Sequence, residues 1–260
     1  MFSRSKRKNS DCNCAKTAYN IETGMLSEFA STLKDIFFPA LCFACEAKIP
    51  SGFVCRKCLE KIIYVRPPMC RLCSKPLGAS KTGVCRDCRG HDVYFNRTIC
   101  VAAYKEPLAG LIHSFKYARY DYLAPFFSDL MSQHLQRIGF QPARYALATG
   151  VPIHRLKRKG RGYNQAALLG LNLAKYFKIP FRDDIIYTRQ LRASQTKVKA
   201  GARAKNALDA FEYSAMCTDE DILLVDDVFT TGATVNACAK ALKASGARSV
   251  TVVTLAKTLK

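Results

Sequence analysis

The sequence predicts an α/β domain, with a parallel sheet flanked by helices, preceded by a small cysteine-rich module. Two observations support this fold class. Residues 222–225 form an unbroken apolar run, typical of a strand buried on both faces of a parallel sheet, and a helical stretch follows. Ahead of them, four C-x-x-C pairs lie between residues 42 and 88, at a spacing typical of thiolates that chelate one tetrahedral metal ion.

The charge balance indicates polyanionic partners. The chain has 41 Lys and Arg residues and 20 Asp and Glu residues, which gives a formal net charge of +21. This charge exceeds what solubility requires and favours binding to diphosphates or nucleic acid. A hydrophobic content of 49% suffices for a packed core and excludes a mainly disordered chain. No apolar run is long enough to cross a membrane, and the basic first residues are followed by polar ones. We therefore expect a cytoplasmic protein without membrane insertion.

Three segments are expected along the chain. Residues 1–24 are charged and lack a periodic apolar pattern, which predicts a disordered tail, unless the start site is placed too early. Cys12 and Cys14 in that tail are interpreted as free thiols rather than metal ligands. Residues 25–91 are predicted to form a helix, over residues 25–38, followed by the cysteine-rich module. Residues 92–260 are predicted to form the α/β domain.

The cysteine-rich module is predicted to be a double zinc ribbon. Two C-x-x-C pairs complete a four-sulfur site, so four pairs predict two structural zinc ions. We favour sequential pairing, in which the first four sulfurs bind one ion and the last four the other; an interleaved arrangement and a redox role for one pair are the alternatives. Because little apolar sequence is available here, metal is expected to supply much of the folding free energy. The predicted ligands are Cys42, Cys45, Cys55, Cys58, Cys70, Cys73, Cys85 and Cys88.

Residues 94–135, the first part of the α/β domain, carry aromatic and aliphatic side chains at helical spacing, most of which should be core. Basic and aromatic side chains interleave near their centre. They are interpreted either as the solvated basic face of a helix or as a surface that stacks on and neutralises single-stranded nucleic acid. These residues are Lys116, Tyr117, Arg119, Tyr120 and Tyr122.

Two acid-free basic segments are candidates for diphosphate binding. Residues 145–153 are predicted to be the first core strand, followed by a basic loop with two glycines that ends where a helix begins at Asn164 and Gln165. A solvated basic turn is the alternative. Residues 189–205 are predicted to be a mobile loop over the site. The candidate cations are Arg155, Lys157, Arg158, Arg161, Arg192, Lys197 and Arg203.

The most informative stretch follows the apolar run. Asp226 and Asp227 can accept hydrogen bonds from a pair of vicinal hydroxyls. The turn behind them opens a helix predicted from Ala233 to Ser245, where free amide groups and the helix dipole favour an anion. A phosphate site beside a diol site indicates that the ligand is a phosphoribose. There are two alternatives: the acid pair could bind magnesium, and the threonines of the turn could serve only to cap the helix. The turn consists of Thr230, Thr231, Gly232, Ala233 and Thr234.

Taken together, these motifs resemble the ComF family of competence proteins, in which a double zinc ribbon precedes a domain of the type I phosphoribosyltransferase fold. The resemblance covers about residues 36–257. It implies that Asp226, Asp227 and residues 230–234 bind the ribose and 5-phosphate of 5-phosphoribosyl 1-diphosphate, with magnesium, while both basic segments face the diphosphate. Similar proteins are linked to DNA uptake in natural transformation. Tyr163 stands where many relatives carry Phe, which changes little.

Two functions are compatible with these features. The first, which we favour, is a ComF-like protein that binds phosphoribosyl diphosphate and single-stranded DNA in DNA uptake; the resemblance leaves open a competence helicase as a further partner. The alternative is an active phosphoribosyltransferase in nucleotide or related metabolism, whose basic groups would stabilise leaving diphosphate. The sequence indicates neither an acceptor pocket nor a catalytic residue. Release of diphosphate distinguishes the two functions.

Overall fold

The computed structural model describes residues 40–78, 83–189 and 209–259. The predicted tail with Cys12 and Cys14, the predicted helix over residues 25–38 and most of the second basic segment lie outside the described residues. The strands are β1 (Arg97–Ala103), β2 (Leu147–Gly150), β3 (Ile186–Thr188), β4 (Phe211–Tyr213), β5 (Asp221–Phe229) and β6 (Ser249–Lys257). The α-helices are α1 (Arg56–Glu60), α2 (Leu108–Tyr117), α3 (Ala124–Arg137), α4 (Arg155–Arg161), α5 (Gln165–Phe177) and α6 (Ala233–Ala244).

Four of these strands form a parallel sheet in the order β1, β6, β5, β2, and β3 pairs with β4 as a separate antiparallel hairpin. Alternate residues of β5 serve opposite faces of the sheet. Leu223 and Val225 pack in the core cluster that contains α2, α3 and α5, whereas Ile222 and Leu224 pack in the cluster that contains α6. Burial on both faces explains why the apolar run in this strand has no alternation.

Both helices that flank the predicted site begin where predicted, and α6 ends one residue before its predicted limit. The Asn164 side chain caps α5, because its Oδ1 accepts a hydrogen bond from the Ala166 amide at 3.1 Å. Beyond the end of α6, Gly246 has a φ of +101°, the left-handed conformation that commonly terminates a helix. Among the described residues, none of the helices combines the length with the apolarity that a membrane span requires.

Two predictions about local structure were wrong. The first core strand is β1, an edge strand within the segment that was expected to be helical; residues 145–153 contain only the short β2. The strand state of β1 depends on pairing with β6, which is distant in sequence. The basic segment after β2 is also not a loop, since it forms α4, which Gly162 ends with a φ of +87°. Gly160 lies inside that helix.

The cysteine-rich module is attached to the free edge of β1. The Val65 amide donates to the Val101 carbonyl at 2.9 Å. The buried Ser74 hydroxyl donates to the Thr98 carbonyl at 2.8 Å and accepts from the Cys100 amide at 3.0 Å. These bonds satisfy backbone groups that an edge strand would otherwise expose. They also hold the module beside the sheet.

Candidate functional site

The carboxyl ends of the parallel strands lie along one edge of the sheet, where open α/β sheets usually bind ligands. β5 leads here into the threonine-rich turn, β2 leads into the basic helix α4, and β6 ends at Lys257. Because β2 pairs directly with β5, the acidic and basic motifs follow neighbouring strands. The fold thus brings together two motifs that are far apart in the sequence.

Residues 230–234 form a tight turn between β5 and α6. Gly232 has a φ of +83°, and a Cβ at this position would lie 2.6 Å from the Phe229 ring, so both the backbone conformation and the available space require glycine. The Thr231 hydroxyl accepts a hydrogen bond from the Ala233 amide at 3.3 Å. Thr230, Thr231, Ala233 and Thr234 are exposed. The start of a twelve-residue helix is therefore accessible to an anion.

The acid pair occupies the last part of β5. Asp227 is buried, and its Oδ1 lies 2.9 Å from Nζ of Lys116 in the last turn of α2. Asp226 accepts a hydrogen bond from the Asp227 amide at 2.9 Å. Burial, followed by the neighbouring Asp227 carboxylate, raises the pKa of Asp226 to about 8, although the amide hydrogen bond and the Lys116 charge act in the opposite direction. Burial therefore favours the protonated form of Asp226, while Asp227 forms an ion pair with Lys116.

The basic helix α4 presents an exposed row of cations. Its N-terminus is capped by His154, whose Nδ1 accepts a hydrogen bond from the Leu156 amide at 3.3 Å. No hydrogen bond or ion pair joins the exposed cations of this row to a residue in the described part of the chain. The exposed cations are Arg155, Lys157, Arg158 and Lys159.

Arg161, at the end of α4, differs from the exposed row. Its Nη1 donates to Oε1 of Gln165 at 3.1 Å, and its guanidinium carbon lies 5.1 Å from the centroid of the Tyr117 ring. Tyr117 is 62% exposed, so one aromatic ring at this edge of the sheet is available for stacking.

The other two tyrosines considered for base stacking lie against the first ribbon. The ring centroid of Tyr120 is 5.3 Å from that of Phe43, and the Tyr122 ring stacks on Phe53 with centroids 5.9 Å apart. Tyr120 and Tyr122 therefore join the ribbon to the α/β domain. Lys116, from the same interleaved segment, is paired with Asp227 rather than forming part of a solvated face.

Most of the second basic segment lies outside the described residues, including Arg192, Lys197 and Arg203. Its first residue, Arg189, pairs with Glu212 across the β3–β4 hairpin at 3.0 Å.

The eight paired cysteines lie in two groups of four, within each of which the sulfurs are no more than 4.8 Å apart. The grouping follows sequence order, as in the sequential pairing that we favoured. The closest sulfur pairs, Cys45 with Cys55 and Cys73 with Cys85, are both 3.7 Å apart. Zinc–sulfur bonds of about 2.3 Å in a tetrahedron separate the sulfurs by about 3.8 Å, so both groups fit zinc. The groups are Cys42, Cys45, Cys55 and Cys58, and Cys70, Cys73, Cys85 and Cys88.

The backbone repeats the same arrangement around both groups. The Cys55 amide donates to Sγ of Cys42, and the Cys85 amide donates to Sγ of Cys70, each at 3.3 Å. Burial opposes ionisation of these two sulfurs, but several backbone N–H donors outweigh it and lower the pKa of Cys42 to about 6 and that of Cys70 to about 7. Thiolates are the form of cysteine that binds metal, and these backbone donors favour the thiolate form of Cys42 and Cys70.

Comparison with known proteins agrees with this architecture. The double zinc ribbon domain family matches residues 33–89, and the phosphoribosyl transferase domain family matches residues 164–260. DNA utilization protein YhgH from Escherichia coli O157:H7 is 30% identical to this chain, covering 85% of it and 98% of that protein. Competence protein F from Haemophilus influenzae is 28% identical to this chain, and the alignment covers 85% of this chain and 98% of that protein. This chain belongs to the ComF family.

A further relative of this ComF protein, Competence protein ComFC from Bacillus subtilis, is 26% identical over 79% of this chain and 85% of its own. Among solved structures, a purine phosphoribosyltransferase from Pyrococcus horikoshii aligns with a TM-score of 0.33 and 17% identity, covering 52% of this chain and 73% of the other. The parallel sheet with helices on both faces and the two family matches establish a phosphoribosyltransferase fold preceded by a double zinc ribbon.

Sequence reasoning missed two lysines beside the candidate site. Lys116 was assigned to a basic surface because its partner, Asp227, lies far away in the sequence. Lys257 was not singled out, although a charged residue at the end of the otherwise uncharged and buried β6 was a usable signal. It is only 6% exposed.

Proposed function

We propose that this ComF protein binds 5-phosphoribosyl 1-diphosphate with magnesium at the carboxyl edge of its sheet, and that it binds single-stranded DNA through its basic surface during DNA uptake into the cytoplasm. The observation that carries the proposal is the arrangement around the end of β5, where an acid pair, a glycine-dependent turn and an accessible helix N-terminus follow one another. The relatives' names, DNA utilization protein and competence protein, support the cellular role.

Each part of the β5 site has a role toward this ligand. The threonine hydroxyls and the first amides of α6 donate hydrogen bonds to the 5-phosphate, and the helix dipole favours its charge. Asp227 accepts a hydrogen bond from one ribose hydroxyl, while Lys116 holds its carboxylate in place. Asp226, in its protonated form, can both donate to and accept from the second hydroxyl. The acid pair thereby recognises a diol.

The remaining charge of the ligand is balanced by cations. Magnesium prefers phosphate oxygens and water, so it would enter with the diphosphate and neutralise part of its charge. Arg155, Lys157 and Lys159 of α4 supply further positive charge next to the strand that carries the acid pair. The two cysteine groups would hold structural zinc and keep the ribbons folded against β1.

The basic surface is also suited to DNA. The exposed cations of α4 have no anionic partner in the described part of the chain, and the whole protein carries a net charge of +21. Neutralising nucleic-acid phosphates with such cations releases counterions, so affinity should fall steeply with salt. Tyr117, exposed beside Arg161, provides a ring on which a base can stack.

Calorimetry with phosphoribosyl diphosphate and magnesium tests the ligand site. Wild-type protein should bind, and Asp226→Asn combined with Asp227→Asn should weaken binding at least tenfold, since an unsatisfied hydrogen-bonding group costs about 1 to 3 kcal/mol. Asp129→Asn with Asp183→Asn, two exposed acids elsewhere, is the matched control and should bind like wild type. Unchanged affinity in the first double variant would exclude this site.

Gel-shift titration of a short single strand across a salt series tests the DNA surface. Lys157→Glu with Lys159→Glu should weaken binding at low salt and flatten its salt dependence. Lys175→Glu with Lys178→Glu makes the same charge change around the end of α5 and should have a smaller effect. Absence of binding at low salt, or equal effects of both double variants, would contradict a DNA surface on α4.

A phosphoribosyl transferase activity is the second candidate function, and a cavity of about 440 Å³ lined in part by Thr230 and Thr231 favours it. In that reaction the bond between ribose C1 and the diphosphate oxygen breaks, a bond from C1 to the acceptor forms, the acceptor loses its proton to solvent and diphosphate leaves. Diphosphate release in the presence of an acceptor would establish turnover. Binding without release would leave ligand recognition as the function.

A further inference from the structure

The two cysteine groups share one internal geometry but differ in their exposure to solvent. In the first group the closest sulfurs, those of Cys45 and Cys55, are 3.7 Å apart. Their counterparts in the second group, Cys73 and Cys85, have the same separation. Cys45 is exposed and Cys55 is half-buried, whereas both counterparts are buried, at 9% and 8% exposure. A reagent in solution therefore reaches the first sulfur pair more easily than the second.

A pocket of about 460 Å³ in the first ribbon is lined in part by Cys55. Aliphatic side chains and three exposed cations also contribute to its lining. The Arg56 side chain pairs with Glu60 at 2.8 Å, but no ion pair joins Lys48 or Lys57 to any residue that the structure describes. The pocket thus combines an accessible sulfur with two cations that have no anionic partner in the described part of the chain. The aliphatic residues are Ile49, Pro50 and Val54, and the cations are Lys48, Arg56 and Lys57.

This lining favours one class of thiol reagent. A zinc-bound cysteine is a thiolate, which is the nucleophile in thiol–disulfide exchange. Cations beside the thiolate attract a disulfide that carries carboxylates and raise its local concentration. The aliphatic side chains can contact the methylene groups of such a molecule. Glutathione disulfide has this chemistry and serves as the probe below.

We propose that Cys55 is a modification site, at which a small disulfide with carboxylate groups oxidises the first cysteine group while the second stays intact. Sγ of Cys55 attacks one sulfur of the reagent, so that a mixed disulfide forms and one thiolate leaves. Sγ of Cys45 then attacks the Cys55 sulfur, which forms the Cys45–Cys55 disulfide and displaces the second thiolate. The two cysteines lose two electrons, the reagent gains them, and the two remaining thiolates are too few to retain zinc.

This oxidation acts on the contact between the first ribbon and the α/β domain. Phe43 and Phe53, which lie between ligands of the first group in the sequence, contact the rings of Tyr120 and Tyr122. Because metal supplies much of the folding free energy of a small ribbon, loss of the first ion should loosen these ring contacts. The second ribbon, whose Ser74 is hydrogen-bonded to β1, should keep its ion. The inference does not depend on the proposed phosphoribosyl-diphosphate and DNA sites.

Zinc release from the full, zinc-loaded chain in the presence of glutathione disulfide tests the proposal. A chromogenic chelator should record one ion released at least tenfold faster than the other, after correction for release without disulfide. Peptide mapping after the fast phase should find the Cys45–Cys55 disulfide. Zinc release is measured rather than thiol loss, because Cys12 and Cys14, which are predicted to be free thiols, can consume the reagent without releasing metal.

Two variants assign the phases to the two groups. Cys55→Ser should lack the first ion and release its remaining ion slowly, whereas Cys85→Ser should lack the second ion and release its remaining ion rapidly. Cys85 is the matched position, because its amide donates to Sγ of Cys70 as that of Cys55 donates to Sγ of Cys42. If Cys85→Ser does not fold, peptide mapping of the wild type and Cys55→Ser decide the assignment.

Charge reversal tests the pocket. Lys48→Glu with Lys57→Glu should slow zinc release by glutathione disulfide at least threefold and leave release by uncharged hydroxyethyl disulfide unchanged. Lys175→Glu with Lys178→Glu, at two exposed lysines around the end of α5, is the matched control and should change neither rate. Release of both ions at one rate, or a first disulfide within the second group, would overturn the inference. Unchanged release by glutathione disulfide in the Lys48 and Lys57 double variant would overturn the role of the pocket.

Discussion

Removal of Lys116 should destabilise the protein through Asp227. Nζ of Lys116 lies 2.9 Å from Oδ1 of Asp227, and the two side chains are only 20% and 11% exposed. At an effective dielectric constant of about 20, unit charges 4 Å apart attract each other by about 4 kcal/mol, and removing one partner of a buried pair costs about 3 to 5 kcal/mol. Because this pair keeps some solvent contact, Lys116→Met should lower the free energy of unfolding by about 2 to 4 kcal/mol.

Urea denaturation at neutral pH, with zinc present and followed by circular dichroism, measures this loss. Lys116→Met combined with Asp227→Asn should recover part of it, since the second change removes the unpaired charge, and a double-mutant cycle should give a coupling of about 1 to 3 kcal/mol. Lys175→Met is the control, because it removes an exposed lysine that forms no ion pair with any residue that the structure describes. A loss below about 0.5 kcal/mol for Lys116→Met, or a coupling near zero, would show that the pair does not contribute to stability.

Three further outcomes are expected. The protein should carry two zinc ions per chain and Cys55→Ser only one, as measured by metal analysis; loss of both ions would contradict two separate groups. Ser74→Ala should lower the free energy of unfolding by about 1 to 3 kcal/mol, because it leaves buried backbone groups of β1 unpaired, whereas an unchanged urea midpoint would argue against this anchor. The third outcome concerns Asp226, whose pKa burial raises to about 8, from about 3.9 in an unfolded chain. Between these values the folded state binds more protons than the unfolded state, so stability should fall as pH rises from about 4 to about 8, and Asp226→Asn should flatten this dependence in melts across pH.

The sequence by itself determined the parts of this protein that are local in the chain. A C-x-x-C pair chelates metal within one turn, and four pairs in succession were sufficient to predict a double zinc ribbon. The strand, turn and helix around Gly232 likewise follow one another directly in the chain. The apolar run in β5 indicated a strand buried on both faces without any information about the strands that pair with it. In each case the residues that specify the structure are neighbours in the chain.

Only the tertiary structure decided features that join distant residues. β1 is a strand because β6 and the ribbons pair with it, and its own sequence did not distinguish it from a helical segment. Lys116 became an ion-pair partner rather than a surface cation because α2 packs against the end of β5. Lys257 faces a cavity because the second ribbon lies over the end of β6. Such contacts depend on how elements pack, and packing brings together side chains whose separation in the sequence carries no information about their distance in space.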